Sequence, residues 1–142
     1  MSVKIQRRNT LVMLAAGILG ISWLSLRDAS TRRFGVPELE LAEAKALIDA
    51  GAVVIDVRSK DAFDYRHMPP AVLIPLAILR AGIPSSLAEA KEQQIVVYCN
   101  DGHSSGPEAA HILRQHGFSK VGNMKSGIEG WAAAGLPLVK AS

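Results

Sequence analysis

The most apolar part of the chain runs from Thr10 to Leu26 (TLVMLAAGILGISWLSL) and carries no charge. At about 1.5 Å of rise per residue, a helix of this length just crosses a thin hydrocarbon core, so one N-terminal transmembrane helix is predicted over 10–26. Residues 1–9 form a basic tail with Lys4, Arg7 and Arg8, and residues 27–35 (RDASTRRFG) lack apolar periodicity and read as a linker. Cleavage after Ala29 would put Arg27 where a small residue is needed, which favours an uncleaved anchor over a signal peptide. Three basic residues flank each end of the span (Lys4, Arg7, Arg8; Arg27, Arg32, Arg33). The α-amino group tips this balance toward a cytoplasmic N-terminus, placing the rest of the chain on the periplasmic side of a bacterial inner membrane.

From residue 36 to 142 the pattern changes to short apolar runs alternating with amphipathic ones, as expected for a single folded domain. Leu41, Ala44, Leu47 and Ile48 fall at helical spacing, and Gly51 follows as a stop. Ala52 to Val57 (AVVIDV) is a β-branched run of the kind buried on both faces of a sheet. Ser59 can cap a helix over KDAFDYRH that Pro69 and Pro70 end. Val72 to Ile74 is a further strand, and Ser85 to Glu92 a helix. Ile95 to Tyr98 (IVVY) is the clearest strand of all. Ala109, Ile112 and Leu113 mark an amphipathic helix closed by Gly117, and Val121 to Met124 is the last predicted strand. Strands alternating with helices imply an α/β fold, with a parallel sheet flanked by helices.

A length of 142 residues leaves room for one such domain and excludes a second catalytic one. The net charge is only +3, and much of the basic excess flanks the apolar span, so a nucleic-acid-binding face is not expected. Cys99 is the single cysteine, which excludes an intramolecular disulfide and any metal site built on paired thiolates. The strand IVVY delivers Cys99 to its carboxyl end, where ligands bind in open parallel sheets. Asn100, Asp101, Gly102, His103, Ser104 and Ser105 then form a turn that leads into a helix. The first N–H groups of a helix lack internal partners and carry the positive end of its dipole, so this loop is expected to cradle an anion and to favour a thiolate. A buried core cysteine is the bland alternative; the polar Gly/Ser loop that follows at once argues for a functional thiol.

Four segments in order resemble the rhodanese family over nearly all of Val36 to Val139. They are IDVR (Ile55 to Arg58), HMPPAVLIP (His67 to Pro75), VVYCNDGHSS (Val96 to Ser105) and GFSKVGNMKSGIEGWAAAGLPL (Gly117 to Leu138). The resemblance implies a rhodanese-like parallel sheet flanked by helices and a sulfurtransferase that needs no cofactor and no metal. Cys99 would attack the outer sulfur of a small anionic donor such as thiosulfate, become a persulfide, and pass that sulfur to a thiol or cyanide acceptor. Residues 100–105 would bind the donor, while Asp56 and Arg58 would support the loop. Ser104 stands where many members carry arginine, so the fixed loop cation is missing and His103 could supply charge only when protonated. Pro70 and Ser126 replace family glycines. The competing readings are a weakly active or inactive binding module tethered to the membrane, and a related phosphatase or arsenate reductase, which would want an arginine clamp that this loop lacks. His67 is expected to be structural, His111 and His116 surface or half-buried, and Trp131 a core aromatic.

Overall fold

The computed structural model describes residues 33–141, so the predicted membrane helix over 10–26 and most of its linker lie outside the described residues. Among the described residues, no helix is long and apolar enough to cross a membrane. The elements run β1 (Glu38–Leu39), α1 (Leu41–Asp49), β2 (Val53–Asp56), α2 (Lys60–Tyr65), β3 (Arg66–His67) and β4 (Val72–Leu73). There follow α3 (Leu76–Ala81), a 3-10 helix (Ser85–Ala90), β5 (Ile95–Tyr98), α4 (Ser105–Gln115), β6 (Val121–Met124), α5 (Gly127–Ala133) and β7 (Val139–Lys140).

Five strands form one sheet in the order β1-β6-β5-β2-β4, with every neighbouring pair parallel. The strand β5 lies at its centre. Its four residues are buried, and its period of two sends alternate side chains into two separate cores. Ile95, Val97 and Cys99 pack with Ile55, Leu79, Ala109, Ala110, Leu113 and Phe118 on one face. Val96 and Tyr98 pack with Ala44, Val54, Met68, Met124, Ile128 and Trp131 on the other. A strand clothed by helices on both faces has no polar side, which is why IVVY carries no polar alternation.

The predicted strands at 52–57, 72–74, 95–98 and 121–124 and the helices that start at Leu41 and precede Gly117 are all present, at slightly different bounds. Other expectations need correction. The helix predicted over KDAFDYRH ends at Tyr65, because Arg66 is fully extended (φ −164°, ψ 143°) and, with His67, pairs antiparallel with Lys140 and Val139 of β7. The segment Ser85 to Ala90 is a 3-10 helix rather than an α-helix to Glu92. The helices α3 and α5 and the two-residue strands β1, β3 and β7 are additions. Trp131 is a core aromatic as expected, its indole N–H donating to the Pro137 carbonyl at 2.8 Å. His67 is structural: it stacks on Phe63 and its Nδ1 lies 2.9 Å from the Phe63 carbonyl. His111 is half-buried and His116 exposed.

Candidate active site

Cys99 follows β5 directly and is only 1% exposed. Its sulfur has two polar neighbours, both on the loop that follows. The Ser104 hydroxyl donates to Sγ at 3.6 Å, and the thiol donates to Oδ1 of Asp101 at 3.7 Å. Asp101 and Ser104 are themselves exposed, so both polar contacts of the sulfur belong to residues that reach solvent.

The carboxylate of Asp101 is the hub of this loop. Its Oδ1 also accepts from the backbone N–H of His103 (2.9 Å), the backbone N–H of Ser104 (3.2 Å) and the Ser104 hydroxyl (3.2 Å). Burial opposes its charge, but these hydrogen bonds outweigh that cost and hold the carboxyl below its ordinary value. Two of the N–H groups expected to receive an anionic donor are therefore engaged by an anion of the chain itself. The Nδ1 of the His103 ring is buried with no hydrogen-bond partner among the described residues, while the backbone N–H of His103 donates to Asp101. Ser105 begins α4, and Gly106 after it leaves room for the Asn123 amide beside the thiol, since a Cβ there would lie 2.2 Å from Asn123 Oδ1 and 3.3 Å from Sγ.

Behind the loop, the first turn of α5 takes its carbonyls. Ile128 N–H donates to the Cys99 carbonyl at 2.9 Å and Glu129 N–H to the Asn100 carbonyl at 3.1 Å, so helix-terminal donors that lack internal partners hold the loop backbone. Gly127 permits this approach with φ 59°; a Cβ there would lie 2.2 Å from the Asn100 oxygen.

Asp56 and Arg58 sit at the carboxyl end of β2, adjacent to β5. The guanidinium clamps the carboxylate through Nε (3.0 Å) and Nη2 (2.8 Å); Nη2 also donates to the Arg66 carbonyl (2.7 Å), and Nη1 donates to Oδ1 of Asn100 (3.2 Å). Burial works against the Arg58 charge, but hydrogen bonding and attraction from Asp56 raise its pKa overall. Asp56 also faces Tyr98 across the parallel register and accepts its hydroxyl at 2.7 Å, while Met68 N–H donates to that hydroxyl at 3.1 Å. Burial first, and then the Asp56 carboxylate, push the Tyr98 phenol far above its ordinary range. In a Tyr65→Phe variant, which leaves Tyr98 as the one tyrosine, the folded protein should therefore show no phenolate absorbance on passing about pH 10. A full ionisation step there would contradict the buried Tyr98–Asp56 bond.

The family model for a rhodanese-like domain matches residues 40–134, a range that contains every element from α1 to α5. The chain belongs to this family. Among relatives of this rhodanese-like domain, the uncharacterized protein YibN of Escherichia coli (strain K12) is 30% identical over 130 residues, covering 87% of the chain and 90% of YibN. Thiosulfate sulfurtransferase GlpE of Pseudomonas syringae pv. syringae is 37% identical over 90 residues, covering 63% of the chain and 80% of GlpE. The human single-domain sulfurtransferase TSTD1 shares the fold, with a TM-score of 0.61 at 24% identity over 68% of this chain and 96% of that one.

One buried polar residue of the rhodanese-like domain was missed in the sequence. Asn123, fully buried in β6, donates through Nδ2 to the Gly102 carbonyl at 2.8 Å and to Glu38 at 3.3 Å. It anchors the loop from below. The signal was there: an amide in an otherwise apolar strand, VGNM, has to find a partner. The role of Asp101 was legible too, since an Asp followed by Gly favours a side chain that accepts from N–H groups two and three residues on.

Proposed function

We propose that this domain is a persulfide-forming sulfurtransferase with Cys99 as its nucleophile. The observation that carries the reading is the placement of a lone thiol at the carboxyl end of the central strand, in a loop held by α5, Asn123 and the Asp56–Arg58 pair. Sulfurtransferases among the relatives, GlpE included, support it. The Cys99 thiolate attacks the outer sulfur of a donor such as thiosulfate. A new S–S bond forms on Cys99, the donor's S–S bond breaks, and its electron pair leaves on sulfite. A thiol or cyanide acceptor then attacks the outer sulfur of the persulfide and regenerates Cys99. The Ser104 hydroxyl, 3.6 Å from Sγ, would stabilise the charge on the persulfide. The uncharged stretch 10–26 supports tethering of the domain at a membrane surface, on the periplasmic side.

A second reading, a tethered binding module with weak chemistry, is favoured by two features: the sulfur is nearly covered, and residues 100–105 include no Lys or Arg. Incubating the full chain with thiosulfate and cyanide separates the two. The sulfurtransferase releases thiocyanate over many turnovers and loses this with Cys99→Ala. A binding module gives none above the variant.

A further inference from the structure

We infer that Asp101 sets the charge of the sulfur donor, turning the site away from doubly charged thiosulfate and toward singly charged sulfane donors, the thiosulfonates and alkyl persulfides. The inference rests on the sulfurtransferase reading and deepens it. Three observations carry it. The Asp101 carboxylate is in contact with the attacking sulfur, Sγ of Cys99, at 3.7 Å. It already occupies the donors an incoming anion would use, the N–H groups of His103 and Ser104 and the Ser104 hydroxyl. It also belongs to an exposed residue in contact with a sulfur whose residue is only 1% exposed, so an incoming donor meets its charge.

Among the described residues, Arg58 and Lys125 border the loop, and each is held in an ion pair, Arg58 with Asp56 at 2.8 Å and Lys125 with Glu40 at 3.0 Å. The hydrogen bonds that fix Asp101 also keep it ionised at neutral pH and below the ordinary carboxylate range. Thiolate attack on thiosulfate gathers three negative charges on the reacting group, which become the persulfide anion and sulfite. Attack on methanethiosulfonate gathers two, and methanesulfinate leaves. Each donor charge is repelled by Asp101, so the doubly charged donor suffers more. Across about 5 Å in a partly wet mouth, one such charge is worth about tenfold in rate.

The test compares kcat/KM for thiosulfate and for methanethiosulfonate, with cyanide as acceptor, in the full chain and in Asp101→Asn. The amide keeps the Oδ1 acceptor that organises the loop and removes the charge. The ratio of thiosulfate to methanethiosulfonate should rise about tenfold in the variant. In the parent, added salt should raise the same ratio, because screening weakens the repulsion; this second measurement needs no variant to fold. A ratio that stays within about twofold in the variant, including the case where both donors fall together because the loop is damaged, combined with a parent ratio insensitive to salt, overturns the inference while leaving the sulfurtransferase reading in place. Failure of the parent to take sulfur from either donor defeats that reading, and this inference with it.

Discussion

Replacing Arg58 by Ala should destabilise the domain by about 3–5 kcal/mol, enough to lower its melting temperature by about 15–30 °C. The argument begins with Asp56, which is fully buried and whose ion-pair partner is this one guanidinium. Removing the guanidinium leaves a carboxylate in a low-dielectric site with only the Tyr98 hydroxyl and the backbone N–H of residue 58 to hold it. Burying an uncompensated charge costs far more than the net worth of the pair that it breaks. The Arg66 carbonyl and the Asn100 side chain lose their partner in the same step, so the end of α2 and the start of the active-site loop loosen together. Domains are stabilised by only about 5–15 kcal/mol, so the loss is a large fraction of the total. Denaturant unfolding of parent and variant measures it. A difference below about 1 kcal/mol would mean that the buried pair is a surface-like contact, against the geometry.

The second large effect is expected at Gly102. Its φ is 80°, in the left-handed region, and a Cβ there would stand 2.0 Å from the Lys125 carbonyl oxygen and 2.7 Å from that of Met124. Both obstacles are backbone and cannot rotate away. Gly102→Ala therefore pushes the loop off β6, breaks the Asn123 bond to the Gly102 carbonyl and shifts the Asp101–Ser104 cluster that meets the sulfur. About 3 kcal/mol of stability should go, and because a displacement near 1 Å at a reacting centre costs about a hundredfold, sulfur transfer should fall by at least that much. Gly51→Ala is the control. Gly51 also has positive φ (95°), but its Cβ site is empty, so only the backbone strain of about 1–2 kcal/mol applies and activity should persist. Equal effects of the two substitutions would show that loop packing against β6 does not matter.

These two positions also show how far the chain could be read before its structure was known. The strands β2, β5 and β6 were visible because a fully buried parallel strand must be a short β-branched or apolar run, and IVVY and VVID have little alternative. Cys99 at the end of β5 followed from that alone. The two-residue strands β1, β3 and β7 were invisible, since two residues carry no periodicity; Arg66 and His67 look like the tail of a helix until Val139 and Lys140 arrive to pair with them. The helix α3 was hidden for a related reason, because LAILRA is too short for an amphipathic pattern to stand out.

At the site, the residues of the loop were identifiable but not their division of labour. All of Asn100 to Ser105 read as donors to an anion. The distances give Asp101 the seat at their centre and make Asn100 a contact for Arg58. Such a division depends on Gly102 turning the chain and on Asn123 and α5 holding it from other parts of the sequence, which no local pattern contains.

The central claim, that Cys99 carries sulfur, is met most directly by intact mass spectrometry of the full chain after incubation with thiosulfate or methanethiosulfonate, with Cys99→Ala alongside. The parent should gain the mass of one sulfur atom, lose it on addition of cyanide, and the variant should gain nothing. A parent that takes up no sulfur from either donor, or a variant that takes up as much as the parent, would contradict the claim.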